Sequence, residues 1–115
     1  MITGYFLSKS KYMMGLQCPK LLWMSYHAKD QFPATDPQTQ AIFDQGNDVT
    51  ALARTLFPDG VEIEGVEDYE AILKRTQELL TKRKPLFEAA FSYKNTFARP
   101  DILSPNKDGS WNLYE

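Results

Sequence analysis

Apolar and polar positions recur on two different periods along this chain, and the change of period divides it. Over residues 8–17, Tyr12, Met13 and Leu16 are spaced for one helical face; Ser8 is an N-cap candidate and Gly15 weakens the end, which predicts a short helix. Residues 18–27 begin a second helix with Pro19 at N1, where its missing N–H costs nothing. Apolar residues surround most of its turns, so it is expected to be largely buried. Residues 28–35 read as a linker, with Asp30, Pro33 and a polar bias. Asp36 and Pro37 then supply the N-cap and N1 of a third helix reaching about Phe57, with Ile42, Val49, Leu52, Ala53 and Leu56 as its apolar stripe. The clearest periodicity belongs to a fourth helix opened by Glu67 or Asp68, in which Tyr69, Ile72, Leu73, Leu79 and Leu80 fall at i, i+3, i+4, i+10 and i+11.

The C-terminal third shortens the period to two. Pro58-Asp59-Gly60 is a turn and residues 61–63 read as a short strand. Residues 86–93 alternate as a strand in which Glu88 shares a face with Leu86 and Ala90, while Phe87, Ala89 and Phe91 point the other way. An acid on such a strand is costly unless it is paired or binds metal. Two further apolar runs, residues 97–103 and residue 111 onward, flank a polar segment holding Pro105, Asn106, Asp108 and Gly109, the pattern of a β-hairpin with a longer loop. The three strands predict an antiparallel meander beside the helices. The fold class is therefore α/β in one domain, with residues 1–57 a helical segment and residues 58–115 the sheet-bearing part.

The hairpin carries one acid on each strand. With residues 104–110 as a symmetric loop, Leu103 faces Trp111, Asp101 faces Leu113 and Arg99 faces Glu115. Asp101 and Glu115 are then diagonal neighbours on one face, roughly 7–8 Å apart at Cα with side chains able to converge. Two converging carboxylates suit a hard divalent cation such as Mg²⁺ or Mn²⁺, which prefers oxygen ligands. A slip of one residue would send the two acids to opposite faces.

Composition narrows the setting. A hydrophobic content of 43% with 24% charged residues fits a soluble globular protein, and no apolar run approaches the roughly 20 residues that span a bilayer. Residues 1–5 carry no basic and apolar leader pattern, and a single cysteine builds no disulfide framework; both point to the cytoplasm. The net charge of −2 gives no general attraction to nucleic acid, so a nucleic-acid enzyme would need a local basic groove.

Other positions have two readings each. Cys18 at a helix N-terminus is either a buried free cysteine or one ligand of a metal or iron–sulfur site whose other ligands lie elsewhere. Gly46 permits close approach of either a neighbouring helix or a ligand. Lys74, Arg75, Lys82, Arg83 and Lys84 are either a solvated face complementing the helix dipole or phosphate contacts. His27 is assigned no role.

Pro100-Asp101, a hairpin and then Glu115 resembles the core of the PD-(D/E)XK nuclease superfamily. Residues 7–20, with Cys18-Pro19-Lys20, and residues 43–49 around Gly46 make the chain similar to RecB-type nucleases, in particular the CRISPR-associated exonucleases and uncharacterised bacterial proteins related to them. The resemblance implies an N-terminal piece of a restriction-endonuclease-like fold, with helices packed on the first strands of a mixed sheet. It implies that Asp101 and Glu115 are catalytic metal ligands for Mg or Mn, that Glu88 joins that metal, and that Cys18 is the N-terminal ligand of an iron–sulfur cluster completed only in a longer parent protein. The implied partner is DNA and the implied reaction is phosphodiester hydrolysis.

Two departures from the family pattern stand out. The Lys expected two residues after Glu115 lies past the chain end, and Thr50 stands where a metal-binding His usually follows the helix Gly by four residues. This stretch alone is therefore expected to be inactive and to self-associate through an exposed sheet edge. The alternative is a non-catalytic nucleic-acid-binding or protein-interaction domain that keeps the nuclease fold. A third reading leaves the acids as surface residues of an ordinary soluble domain.

Overall fold

Local capping and turn chemistry place the helices close to where the apolar periodicity puts them. The computed structural model describes residues 6–65 and 68–115. A two-residue strand, β1 (Leu7–Ser8), runs into α1 (Lys9–Gln17) because the Ser8 hydroxyl accepts from the Lys11 N–H. Cys18 separates α1 from α2 (Pro19–His27), and a 3₁₀ turn (Lys29–Gln31) follows. Asp36 caps α3 (Pro37–Arg54) by accepting from the Thr39 N–H at 2.8 Å, and that bond holds its carboxyl below the usual range. Asp68 caps α4 (Tyr69–Leu80) in the same way. The strands are β2 (Val61–Glu62), β3 (Leu86–Phe87), β4 (Phe91–Tyr93), β5 (Thr96–Ala98), β6 (Ile102–Pro105) and β7 (Trp111–Tyr114). Glu67, one of the two residues expected to open α4, lies outside the described residues.

The expected meander is not formed. The strand predicted over 86–93 is divided at Glu88, whose backbone turns left-handed at φ +59°, and the strand predicted over 97–103 is divided at Arg99-Pro100-Asp101. Pro100 has no N–H to continue a ladder, which explains the second break. The pieces enter two mixed, unclosed sheets, ordered β1-β5-β4 and β2-β3-β6-β7. β1 lies parallel to β5 and β2 parallel to β3, whereas β4–β5, β3–β6 and β6–β7 are antiparallel. The architecture is α/β, with the helices in the N-terminal part. The two breaks lie side by side, since the Glu88 N–H donates to the Asp101 carbonyl at 3.2 Å.

The core forms where α4 covers this joint. Ile72 and Leu79 on α4 meet Ile63, Leu86, Ala89, Ala90, Phe97 and Leu103. The α4 stripe therefore behaves as its periodicity predicts. The other helices do not. On α2 only Ser25 is buried, and Trp23 is 58% exposed, against the expectation of a largely buried helix. α3 ends at Arg54 rather than near Phe57 and has no buried residue, so Ile42, Val49, Leu52 and Leu56 stay exposed. Among the described residues no helix is long and apolar enough to cross a membrane.

Gly46 on α3 also differs from its expected part. A Cβ added there would meet nothing within 4 Å, so no neighbouring group needs the missing side chain. Gly46→Ala should therefore raise stability by about 0.5–1 kcal/mol, through helix propensity alone. Urea denaturation of the two proteins checks this; a loss of stability would mean that something covers that face in solution.

Candidate functional site

The hairpin places both acids. Its ladder pairs Ile102 with Tyr114, Leu103 with Leu113, Ser104 with Asn112 and Pro105 with Trp111. The loop is therefore 106–110, two residues shorter than expected, and the pairings of Leu103 with Trp111 and Asp101 with Leu113 do not occur. A shift of two keeps every side chain on its face. Asp101 and Glu115 lie just past the last paired residues, Ile102 and Tyr114, at the open end of the hairpin. The short loop is fixed by its own side chains: Asp108 accepts from the Ser110 N–H at 2.9 Å, and these Ser110 contacts hold its carboxyl below the usual range. Arg83, just after α4, donates to the carbonyls of Asn106, Gly109 and Ser110 and lies 4.5 Å from the Trp111 ring. Of the cations expected on a solvated face, this one clamps the hairpin.

Asp101 and Glu115 line one cavity of about 1030 Å³, a size ordinary for ligand sites. Its floor is an aromatic triad in which Phe6 and Tyr69 meet edge-on at 4.9 Å, and Tyr69 and Phe97 at 5.0 Å. Phe43 of α3 and Tyr26 of α2 form further wall. The remaining lining is cationic and hydroxylic, with Lys9, Lys11, Lys29 and Arg99 beside Ser8 and Ser10. The parallel pairing of Leu7 with Thr96 and Ser8 with Phe97 brings the start of α1 over the carboxylates.

These cations are committed in different ways. The Lys9 ammonium donates to Glu115 Oε2, and that bond, with help from Asp101, raises its pKa. Lys11 turns inward to Ser25 Oγ at 2.9 Å and sits 4.2 Å from the Tyr26 ring; burial first, then Lys29, lowers its pKa. Arg99 spends its Nε and Nη2 on the Glu88 carbonyl at 3.1 and 2.9 Å, Nη2 also on Ile63 O at 2.8 Å, and Nη1 on Gly65 O at 2.9 Å. It braces the joint and has little left for a ligand.

Glu88 takes a different position from that expected. It sits at the break between β3 and β4 rather than on a continuous strand face, and it does not line the cavity. Its carboxylate lies 3.5 Å from Arg54 Nη2 and 3.8 Å from Arg99 Nε. Burial pushes its pKa up, Arg99 and Arg54 oppose that, and Asp101 adds to it. Cys18 is the N-cap of α2, half-buried and free, and does not line the cavity. Thr50 donates to the Gly46 carbonyl at 3.0 Å, a bond within its own helix. His27 stacks on Trp23 at 4.9 Å.

Among the described residues no group of three or more His, Cys, Asp or Glu side chains is placed to hold a metal. The donor set is thus two carboxylates. That set fits Mg²⁺ or Mn²⁺, which keep several waters and take one or two carboxylates. It does not fit an iron–sulfur cluster, which takes four thiolates where this chain has one cysteine. No protein-family model, curated protein or solved structure matches this chain.

Lys9, Arg54 and Arg99 are the residues that sequence reasoning passed over. Lys9 is 106 positions from Glu115 in the chain, and no local pattern marks that pair. The sequence pattern sets Arg99 only opposite Glu115, because a side chain that binds three carbonyls leaves no periodic trace.

Proposed function

We propose that this chain carries the metal-binding carboxylates of a metal-dependent nuclease with a restriction-endonuclease-like fold, acting on DNA phosphodiesters. One observation carries the reading: Asp101 and Glu115, which flank the open end of one hairpin, line the same cavity beside three lysines. Asp101 and Glu115 would hold a Mg²⁺ or Mn²⁺ ion. A divalent metal held there would supply a Lewis acid for a phosphoryl oxygen and for an attacking water. Lys9 and Lys29 attract the phosphate backbone to the cavity mouth, a local basic lining within a chain of net charge −2. Glu88 stays with its arginines and supports Asp101 through the backbone. Cys18 belongs to an iron–sulfur site only if further cysteines come from outside these residues.

The second reading, a nucleic-acid-binding domain without catalysis, is favoured by Thr50, whose hydroxyl serves its own helix and not the cavity.

Mn²⁺ binding tests the proposal, followed through the loss of the free-ion electron paramagnetic resonance signal. Asp101→Ala should weaken binding by at least about 10-fold, the loss that even outer-sphere changes at metal sites cause. Equal Mn²⁺ binding by the parent and Asp101→Ala would overturn the metal reading. DNA retention that is lost in Lys29→Ala but unchanged in Asp101→Ala would favour the binding domain.

A further inference from the structure

Resting on that reading, we infer that Lys9 is the resident counter-ion of the carboxylate pair: the metal must displace it from Glu115, and the freed ammonium then takes the phosphate that the metal brings. Three observations place it there. Its ammonium donates to Glu115 Oε2, and Asp101 lies close enough to act on it electrostatically. Its position is held by a frame, since β1 is paired to β5, the Leu7 N–H donates to the Asn95 carbonyl at 2.8 Å and Ser8 caps α1. Two of the other cations that line the cavity are engaged elsewhere, Lys11 on Ser25 and Arg99 on backbone carbonyls.

The physical balance favours exchange. The Lys9 and Glu115 side chains are 60% and 38% exposed, and an exposed pair of this kind contributes little to stability. A divalent ion held by both carboxylates gains two charges' worth of attraction in the same place, so the ammonium yields. The frame keeps it beside the metal after it has let go. There it faces the one partner the site then adds, an anionic oxygen of a metal-bound phosphate. Lys9 thus opposes the metal when the cavity holds no phosphate and supports the phosphate once the metal is in.

Those two roles have opposite signs in one variant. In Lys9→Met, Mn²⁺ should bind about two- to five-fold more tightly, the range set by an exposed ion pair. With Mn²⁺ saturating, thymidine 5′-monophosphate should bind more weakly than it does to the parent. Lys9→Arg should restore both values towards the parent, because the charge is kept. A lysine that merely supported the fold would weaken both equilibria together, and that result would overturn the inference. Tighter Mn²⁺ with unchanged nucleotide affinity would also overturn it, because the freed ammonium would then have no phosphate role. If Mn²⁺ binding depends on Asp101 yet ignores Lys9→Met, the inference falls and the metal reading stands. If neither protein binds Mn²⁺, both fall.

Discussion

Arg99→Met should cost about 3 kcal/mol or more, because it leaves three carbonyls short of their charged donor and each hydrogen bond to a charged group is worth roughly 1.5–3 kcal/mol. The guanidinium binds Glu88 O, Ile63 O and Gly65 O, and so ties the turn after β3 to the segment that follows β2. Its side chain is only 19% exposed, so water has little access to replace it. A second charge also loses one of its two arginines, since the Glu88 carboxylate lies 3.8 Å from Arg99 Nε, keeps only Arg54, and is already pushed towards the neutral form by burial. Arg99→Lys should rescue little, because one ammonium cannot span carbonyls that a planar fork reaches together. The functional consequence follows from position. Arg99 is two residues before Asp101, and Glu88 N–H holds the Asp101 carbonyl, so loosening the joint should weaken Mn²⁺ binding as well as stability. Urea denaturation beside a Mn²⁺ titration reads both. A stability loss below about 1 kcal/mol would mean that water satisfies the carbonyls and that the brace is dispensable.

What the sequence discloses of this fold follows the range of the interactions. α4 is legible because its stripe is the one that the core uses, with Ile72 and Leu79 buried at the predicted spacing. The hairpin is legible from its turn residues, but its register is not, because Ser104 and Pro105 have loop propensities while the ladder pairs them with Asn112 and Trp111. The register differs by two residues, which leaves the alternation of faces along the ladder unchanged. The break at Glu88 has no local signature. A non-glycine residue at φ +59° is held there by Arg99, which takes the Glu88 carbonyl out of any ladder. α2 and α3 fail for the reverse reason: their apolar residues predict burial, yet among the described residues little covers Trp23, Val49 or Leu52. Of the candidate site, the two acids that line the cavity, Asp101 and Glu115, were readable from the hairpin pattern. Lys9 was not, since only the parallel β1–β5 contact carries it across the chain to Glu115.

Thr76→Val should cost about 1–3 kcal/mol although the two side chains have almost the same shape, because the change leaves a buried N–H without an acceptor. Thr76 is fully buried on α4 and its hydroxyl makes two bonds, donating to Ile72 O at 2.9 Å and accepting from the Ala90 N–H at 3.0 Å. The first loss is mild, since helix carbonyls already accept a backbone bond. The second is not. Ala90 is fully buried and lies just past the Glu88 break, between β3 and β4, where no strand offers its N–H a partner. The added methyl of valine recovers part of the cost by burying more apolar surface, but it cannot accept a hydrogen bond. Thr76→Ser gives the opposite trade, keeping the acceptor and losing the methyl, so denaturation alone would not separate the causes. Amide hydrogen exchange at Ala90 does. In Thr76→Val its protection should fall well below that of the neighbouring core amides, whereas in Thr76→Ser it should fall only as far as global stability falls. A valine variant that is as stable as the parent, with the Ala90 amide still protected, would show that α4 anchors the joint between the two sheets by apolar contact alone.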